Sequence, residues 1–196
     1  MPAPLRGVAS VCVDGVSLDP AVAADLDRRL RAAAQPILGG FGPMPSAAAA
    51  HLHGDPEEPV PAMADGVLLR ELDDDAMDSF LRVAGPGSPL LAAELRHLGG
   101  ALAQAPADAG VRGRLEGTFL LMGVGLPGPH GLAPVEAHFD RLFEALRPAA
   151  TGTRFASVAQ RWPSLRTCVP DAALQRLARL RAELDPDGLL VAPQLP

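Results

Sequence analysis

The chain of 196 residues contains no lysine, no asparagine and no tyrosine, and every basic residue other than histidine is arginine. Ala, Gly, Pro, Arg, Leu and Val dominate instead. Their codons are rich in G and C, which points to a high-GC bacterial genome and assigns no function. Cysteine is scarce. Cys12 and Cys168 are the two, and their spacing fits no CxxC or metal motif. No charged start leads into an apolar core and small-residue cleavage site, so no signal peptide is predicted. The longest apolar run, residues 119–126, is far short of the roughly 20 residues of a membrane span. A cytoplasmic protein with two free thiols is expected, away from membranes. Net charge is −6 with no dense basic patch, which argues against nucleic acid as a partner.

A chain of this length buries roughly 70% of its unfolded surface and needs no disulfide or metal to fold. No fixed-period repeat and no low-complexity linker divides it, so a single domain over residues 1–196 is expected. Residues 7–16 alternate Val8, Ser10, Cys12 and Asp14 against Ala9, Val11 and Val13, which predicts a strand. Ser17 or Asp19 then caps a helix that starts near Pro20, with Val22, Leu26, Leu30 and Ala33 as its apolar stripe. Residues 41–65 are too rich in Pro and Gly for regular structure, apart from a helical turn near Ser46–His51, and predict a flexible loop.

Beyond the loop, residues 67–72 read as a strand. Asp73 caps a helix whose inner face is Met77, Phe80, Leu81 and Ala84, with Asp74 and Asp75 at its positive end. Residues 90–98 and 116–124 read as two further strands, and 153–158 as a short one. Residues 133–146 form the clearest helix, with Val135, Phe139, Leu142, Phe143 and Leu146 on one face. Asp171 caps a last helix that turns Leu174, Leu177, Leu180 and Leu184 inward. This order predicts an α+β fold, an antiparallel sheet with about four helices on one face. The other face is then left for solvent, a partner or a ligand.

No nucleophile elbow, P-loop, HExxH or dinucleotide fingerprint is present. His51-x-His53 with Asp55, Glu57 and Glu58 lacks a fixed third ligand and reads as a solvated loop; no metal site is expected. His97, His130 and His138 are scattered. In the strand at 90–98, alternation puts Leu91, Ala93, Leu95 and His97 on one face and Ala92, Glu94, Arg96 and Leu98 on the other. Glu116, Thr118, Leu120, Met122 and Val124 share a face of the next strand. Two readings follow. Glu94 and Arg96 form a solvent-facing ion pair, or they belong to a ligand pocket. In the pocket, Arg96 binds an anionic or carbonyl group, Glu94 or Glu116 acts as acid or base, and Thr118, Leu120 and Met122 contact the substrate.

Four stretches in order carry a resemblance: ELRHLGGALA (94–103), LEGTFLLMGVG (115–125), ALRPAATGTRFASVAQ (145–160) and LRAELDPDGLL (180–190). With GPMP and HGDPEEPVPA upstream, they resemble the C-terminal half of bacterial FAD-linked oxidases of the berberine-bridge-enzyme, vanillyl-alcohol-oxidase-like type. The resemblance implies a substrate domain, a large antiparallel sheet backed by helices that roofs a flavin. It implies that FAD is held mostly by a separate N-terminal domain without counterpart in this sequence. Phe155, Ala156, Ser157 and Val158 stand where the family usually has a Tyr-x-Asn-Phe-like stretch. The resemblance thereby places Phe155 and Ser157 at the substrate. At the end, Leu184 stands for the usual Tyr before Asp185-Pro186, and Pro193 stands near the usual Asn.

The expectation is a substrate-type domain that binds no FAD by itself. It would bind or convert a small molecule by cyclisation or isomerisation in bacterial secondary metabolism. The alternatives are one subunit of a split oxidase, completed by an FAD-binding chain, and a non-catalytic homodimer that buries the open sheet face.

Overall fold

The structure, a computed structural model, describes residues 8–52, 58–161 and 164–190. The chain forms two compact units, Met1–Val60 and Pro61–Pro196.

In the first unit, helix α1 spans Pro20–Ala33. Asp19 caps it by accepting the Ala21 N–H, and Pro20 supplies a pre-set φ where no helical donor is needed. Asp25 pairs with Arg28 and, at 2.7 Å, with Arg29; Asp27 pairs with Arg31 at 2.8 Å. These pairs, one turn apart, support the helix locally. A short 3₁₀ helix covers Ser46–His51. The strand predicted over 7–16 is corrected, because residues 8–16 have no regular structure and are exposed. Residue 7 lies outside the described residues. Alternation makes a strand only where another strand completes its ladder, and none does so here. None of residues 8–52 is buried, so the stripe of Val22 and Leu26 covers no core. The histidine-acid stretch of the loop falls largely at 53–57, outside the described residues.

In the second unit, strands β1 (Met63–Leu69), β2 (Leu90–His97) and β3 (Phe119–Gly125) form an antiparallel sheet in the order β1-β3-β2. Helices α2 (Asp74–Ala84), α3 (Ala133–Ala145) and α4 (Asp171–Leu184) complete the α+β fold. β1 starts four residues earlier than predicted. Residues 63–65, expected in the loop over 41–65, belong to the strand, and Asp65 is fully buried there. Val67, Leu69 and Leu121 form the core with Ala76 of α2, and with Leu142 and Leu146 at the end of α3. α2 follows its predicted cap, with the Asp73 carboxylate accepting the Ala76 N–H at 2.8 Å. Its inner face is Ala76, Phe80, Val83 and Ala84; Leu81, expected inside, is exposed.

Three further expectations change. Residues 153–158 make a turn rather than a strand, with the Phe155 carbonyl accepting Val158 N–H at 3.1 Å and Ala159 N–H at 3.2 Å. The segment still lines the outer edge of β1. Thr151 N–H reaches the Leu68 carbonyl at 2.9 Å, and Gln160 N–H reaches the Ala64 carbonyl at 3.3 Å. Pro170, not Asp171, is the cap of α4; Asp171 is its first helical residue. Only the start of the α4 stripe is covered. Leu174 packs with Cys168 and Val169, whereas Leu180 and Leu184 are exposed.

Candidate functional site

The face of the sheet away from α2 and α3 carries the even-numbered residues of β1 and β3 and, past the register shift after Leu90, those of β2 from Ala92 onward. Register aligns Gly66, Met122 and Glu94 in one row and Leu68, Leu120 and Arg96 in the next. Alternation within each strand put Glu94 with Arg96 and Leu120 with Met122, and the register places the two pairs on one face. This face is not open throughout. Leu68 and Leu120 are buried, and a Cβ on Gly66 would lie 2.6 Å from the Leu121 carbonyl oxygen and 2.9 Å from a methyl of Val158. It opens toward the edge strand β2, where Arg96 donates to both carboxylate oxygens of Glu94, the second bond at 3.2 Å. Met122 is half-buried between Gly66 and Glu94.

The other expected residues lie elsewhere. Glu116 precedes β3 and faces Arg114 at 3.8 Å, with both side chains more than half exposed. Thr118 also precedes β3. Its hydroxyl donates to the Arg70 carbonyl at 2.6 Å and fixes the entry of the chain into the sheet. Phe155 lies under the guanidinium of Arg112, 5.7 Å from ring centre to Cζ. Ser157 is exposed in the turn after it. A shallow cavity of about 430 Å³ at the end of α4 is lined by Ala178, Arg181, Ala182, Asp185, Pro186 and Gly188. Asp185 is buried beside it and accepts Leu189 N–H at 2.6 Å and Leu190 N–H at 3.1 Å, which holds the Asp-Pro-Asp-Gly turn closed.

Two polar clusters lie outside the site expected from the sequence. On the helix side of the sheet, Asp65 bridges Arg154 and Arg161 and also accepts the Gly66 N–H. Arg161 continues to Asp140, and its guanidinium lies 5.7 Å from the ring of Phe139 and 5.5 Å from that of Phe143. Arg154 covers the Phe143 ring at 5.3 Å. Burial first, and then the neighbouring Arg161, push the Arg154 guanidinium below its usual range, with a smaller opposing effect of Cys168. The partners are 89 and 96 residues apart, so no spacing rule could find them.

The second cluster is Ser88, His138 and Arg141. His138 Nε2 lies 3.0 Å from the Ser88 hydroxyl, and Arg141 meets Nδ1 at 3.0 Å. An arginine can only donate, so Nδ1 accepts and Nε2 carries the proton toward Ser88. That tautomer cannot take a proton from serine, so this pair is no nucleophile–base dyad. It ties α3 to the turn before β2, where the same hydroxyl accepts the Leu90 N–H. Burial first, and Arg141 next, lower the His138 pKa, against a backbone hydrogen bond at Val83 that raises it. Among the described residues, no group of three or more His, Cys, Asp or Glu side chains could hold a metal. No helix among them is long and apolar enough to cross a membrane.

No protein-family model and no curated protein sequence matches the chain. Among solved structures, the chain is similar to BBE-like 1 of Physcomitrella patens, in its wild-type form and as a point variant. Each match has TM-score 0.60 at 16% identity and covers 74% of this chain and 32% of the other. The chain thus spans about a third of the length of those proteins. At this identity the likeness concerns the fold alone, which is like part of a berberine-bridge-enzyme-like protein.

Proposed function

We propose that this chain is a small-molecule-binding domain whose ligand lies along the β2 side of the sheet, over Met122, with Glu94 and Arg96 as its polar contacts. The observation that carries the reading is the register, which sets a carboxylate and a guanidinium beside a half-buried thioether on the face away from the helices. The ion pair there is cheap to open. Both side chains are more than a third exposed or close to it, and such pairs contribute about 0–1 kcal/mol. A ligand carbonyl or carboxylate can therefore draw the Arg96 guanidinium away from Glu94. The freed carboxylate can then take up or return a proton on the bound molecule. Met122 supplies an adaptable apolar floor. Held in this way, a reactive ligand meets the requirements of an isomerisation or cyclisation, in which positioning supplies much of the acceleration. A role in bacterial secondary metabolism is part of the proposal and rests on composition and resemblance.

The fold likeness raises FAD as a cofactor. Part of the proposal is that the described residues alone do not hold FAD. Every buried side-chain polar atom among them has a hydrogen-bond partner, so no orphaned group is set to receive the cofactor. The proposal therefore routes no step through a flavin. It is tested by a thermal-shift screen of small carbonyl and carboxylate compounds, repeated on Arg96→Gln. Hits that lose at least tenfold in affinity in the variant support the reading. Hits that bind the variant equally well refute it.

A further inference from the structure

Arg112 lies in the connection between β2 and β3, and its charge is not matched by an ion pair among the described residues. Its Nη1 donates to two backbone carbonyls, that of Arg154 at 2.8 Å and that of Cys168. Both hydrogens of Nη1 are thereby used. The guanidinium also lies over the Phe155 ring, with Cζ 5.7 Å from its centre. A guanidinium has five N–H donors, so three remain, one on Nε and two on Nη2. These two nitrogens share one edge, the edge that grips a carboxylate with two parallel hydrogen bonds. No hydrogen bond is made by either nitrogen, yet no buried side-chain polar atom among the described residues lacks a partner. Both nitrogens therefore keep some contact with solvent.

Burial is the main influence on this group and makes its charged form costlier than in water. A cation partly removed from water gains most from an opposite charge brought to it. Ordinary arginines pay side-chain entropy to bind, but this one is already fixed by two carbonyls and a ring, so less remains to be lost. One cation, on which Cys168 and then Glu116 also act electrostatically, suits a single negative charge better than two.

We propose that the Nε–Nη2 edge of Arg112 is a binding site for a monoanionic carboxylate. The inference uses none of the residues of the Glu94–Arg96 site and stands or falls independently of it. The test is a titration of ¹⁵N-arginine-labelled protein with sodium benzoate, with benzyl alcohol and inorganic phosphate as separate arms at constant ionic strength. The Arg112 Nε–H signal is assigned by its loss in Arg112→Lys. The expected result is a saturable shift of this signal with benzoate, weaker binding of phosphate and none of benzyl alcohol. Glu116→Gln, which leaves Arg112 in place, removes a competing negative charge and is expected to tighten benzoate by about two- to fivefold. Absence of a saturable shift, equal binding of benzyl alcohol, tighter binding of phosphate or no gain in Glu116→Gln would overturn the proposal.

Discussion

Replacing Asp65 by asparagine keeps the shape of the side chain and an acceptor for the Gly66 N–H, but removes the charge shared by two guanidinium groups. Asp65 is fully buried, and the Arg154 and Arg161 side chains are only 20% and 19% exposed. The new amide also presents donors toward donors. Breaking a buried ion pair from one side costs about 3–5 kcal/mol. The remaining solvent access of both arginines, and Asp140 as a second partner of Arg161, favour the lower end, about 3 kcal/mol. At a urea dependence of about 2 kcal/mol per molar, the midpoint of unfolding falls by about 1.5 M. The assay is urea unfolding followed by far-ultraviolet circular dichroism, with Arg161→Gln as comparison. That variant leaves the Asp65–Arg154 pair in place and is expected to lose less, about 1.5–3 kcal/mol. A midpoint for Asp65→Asn within about 0.3 M of wild type, or a smaller loss than in Arg161→Gln, would refute the view that this carboxylate anchors the sheet to residues 154–161.

His138 predicts a pH dependence. Its folded pKa lies below the 6.5 of a free side chain, so the unfolded chain binds the proton more readily. The His138 contribution is present above about pH 6.5 and is lost as pH falls through the folded value. Melting temperature should fall over that window in wild type and fall less in His138→Gln; identical profiles would contradict the assignment. Gly123→Ala should destabilise by about 1–3 kcal/mol. The added methyl would stand 2.7 Å from a ring carbon of the buried Phe139 and 3.2 Å from Leu90, and chemical unfolding at wild-type level would contradict this packing.

Much of the second unit is legible in the sequence, because its signals are local. Asp73 with Asp74 and Asp75 marks the start of α2, and Val135, Phe139 and Leu142 mark the buried face of α3. His138 falls within that same stripe, three residues after Val135, so its burial is available to the helical spacing. The failures have physical reasons. Residues 63–65 sit at the end of a Pro- and Gly-rich loop in sequence, and the long-range ion pairs of Asp65 accompany their place in β1. Residues 8–16 carry strand alternation without a partner strand. On the face of the sheet, alternation pairs Glu94 with Arg96 and Leu120 with Met122, because side chains two apart share a face, and the β2–β3 register brings the two pairs together. The boundary of β3 separates Glu116 and Thr118 from them. Arg112 leaves no such mark, because two backbone carbonyls and a ring define its role, and none of these is visible in spacing.

The central claim is that a small molecule binds over Met122 and that FAD does not occupy this place in the isolated chain. It is tested most directly by ¹³C-methyl labelling of the methionines, with the Met122 signal assigned by Met122→Leu. The account predicts that a ligand from the thermal-shift screen moves the Met122 methyl signal saturably, and that FAD leaves it unmoved. A bound ligand that leaves Met122 unchanged, or a saturable shift caused by FAD, would contradict it.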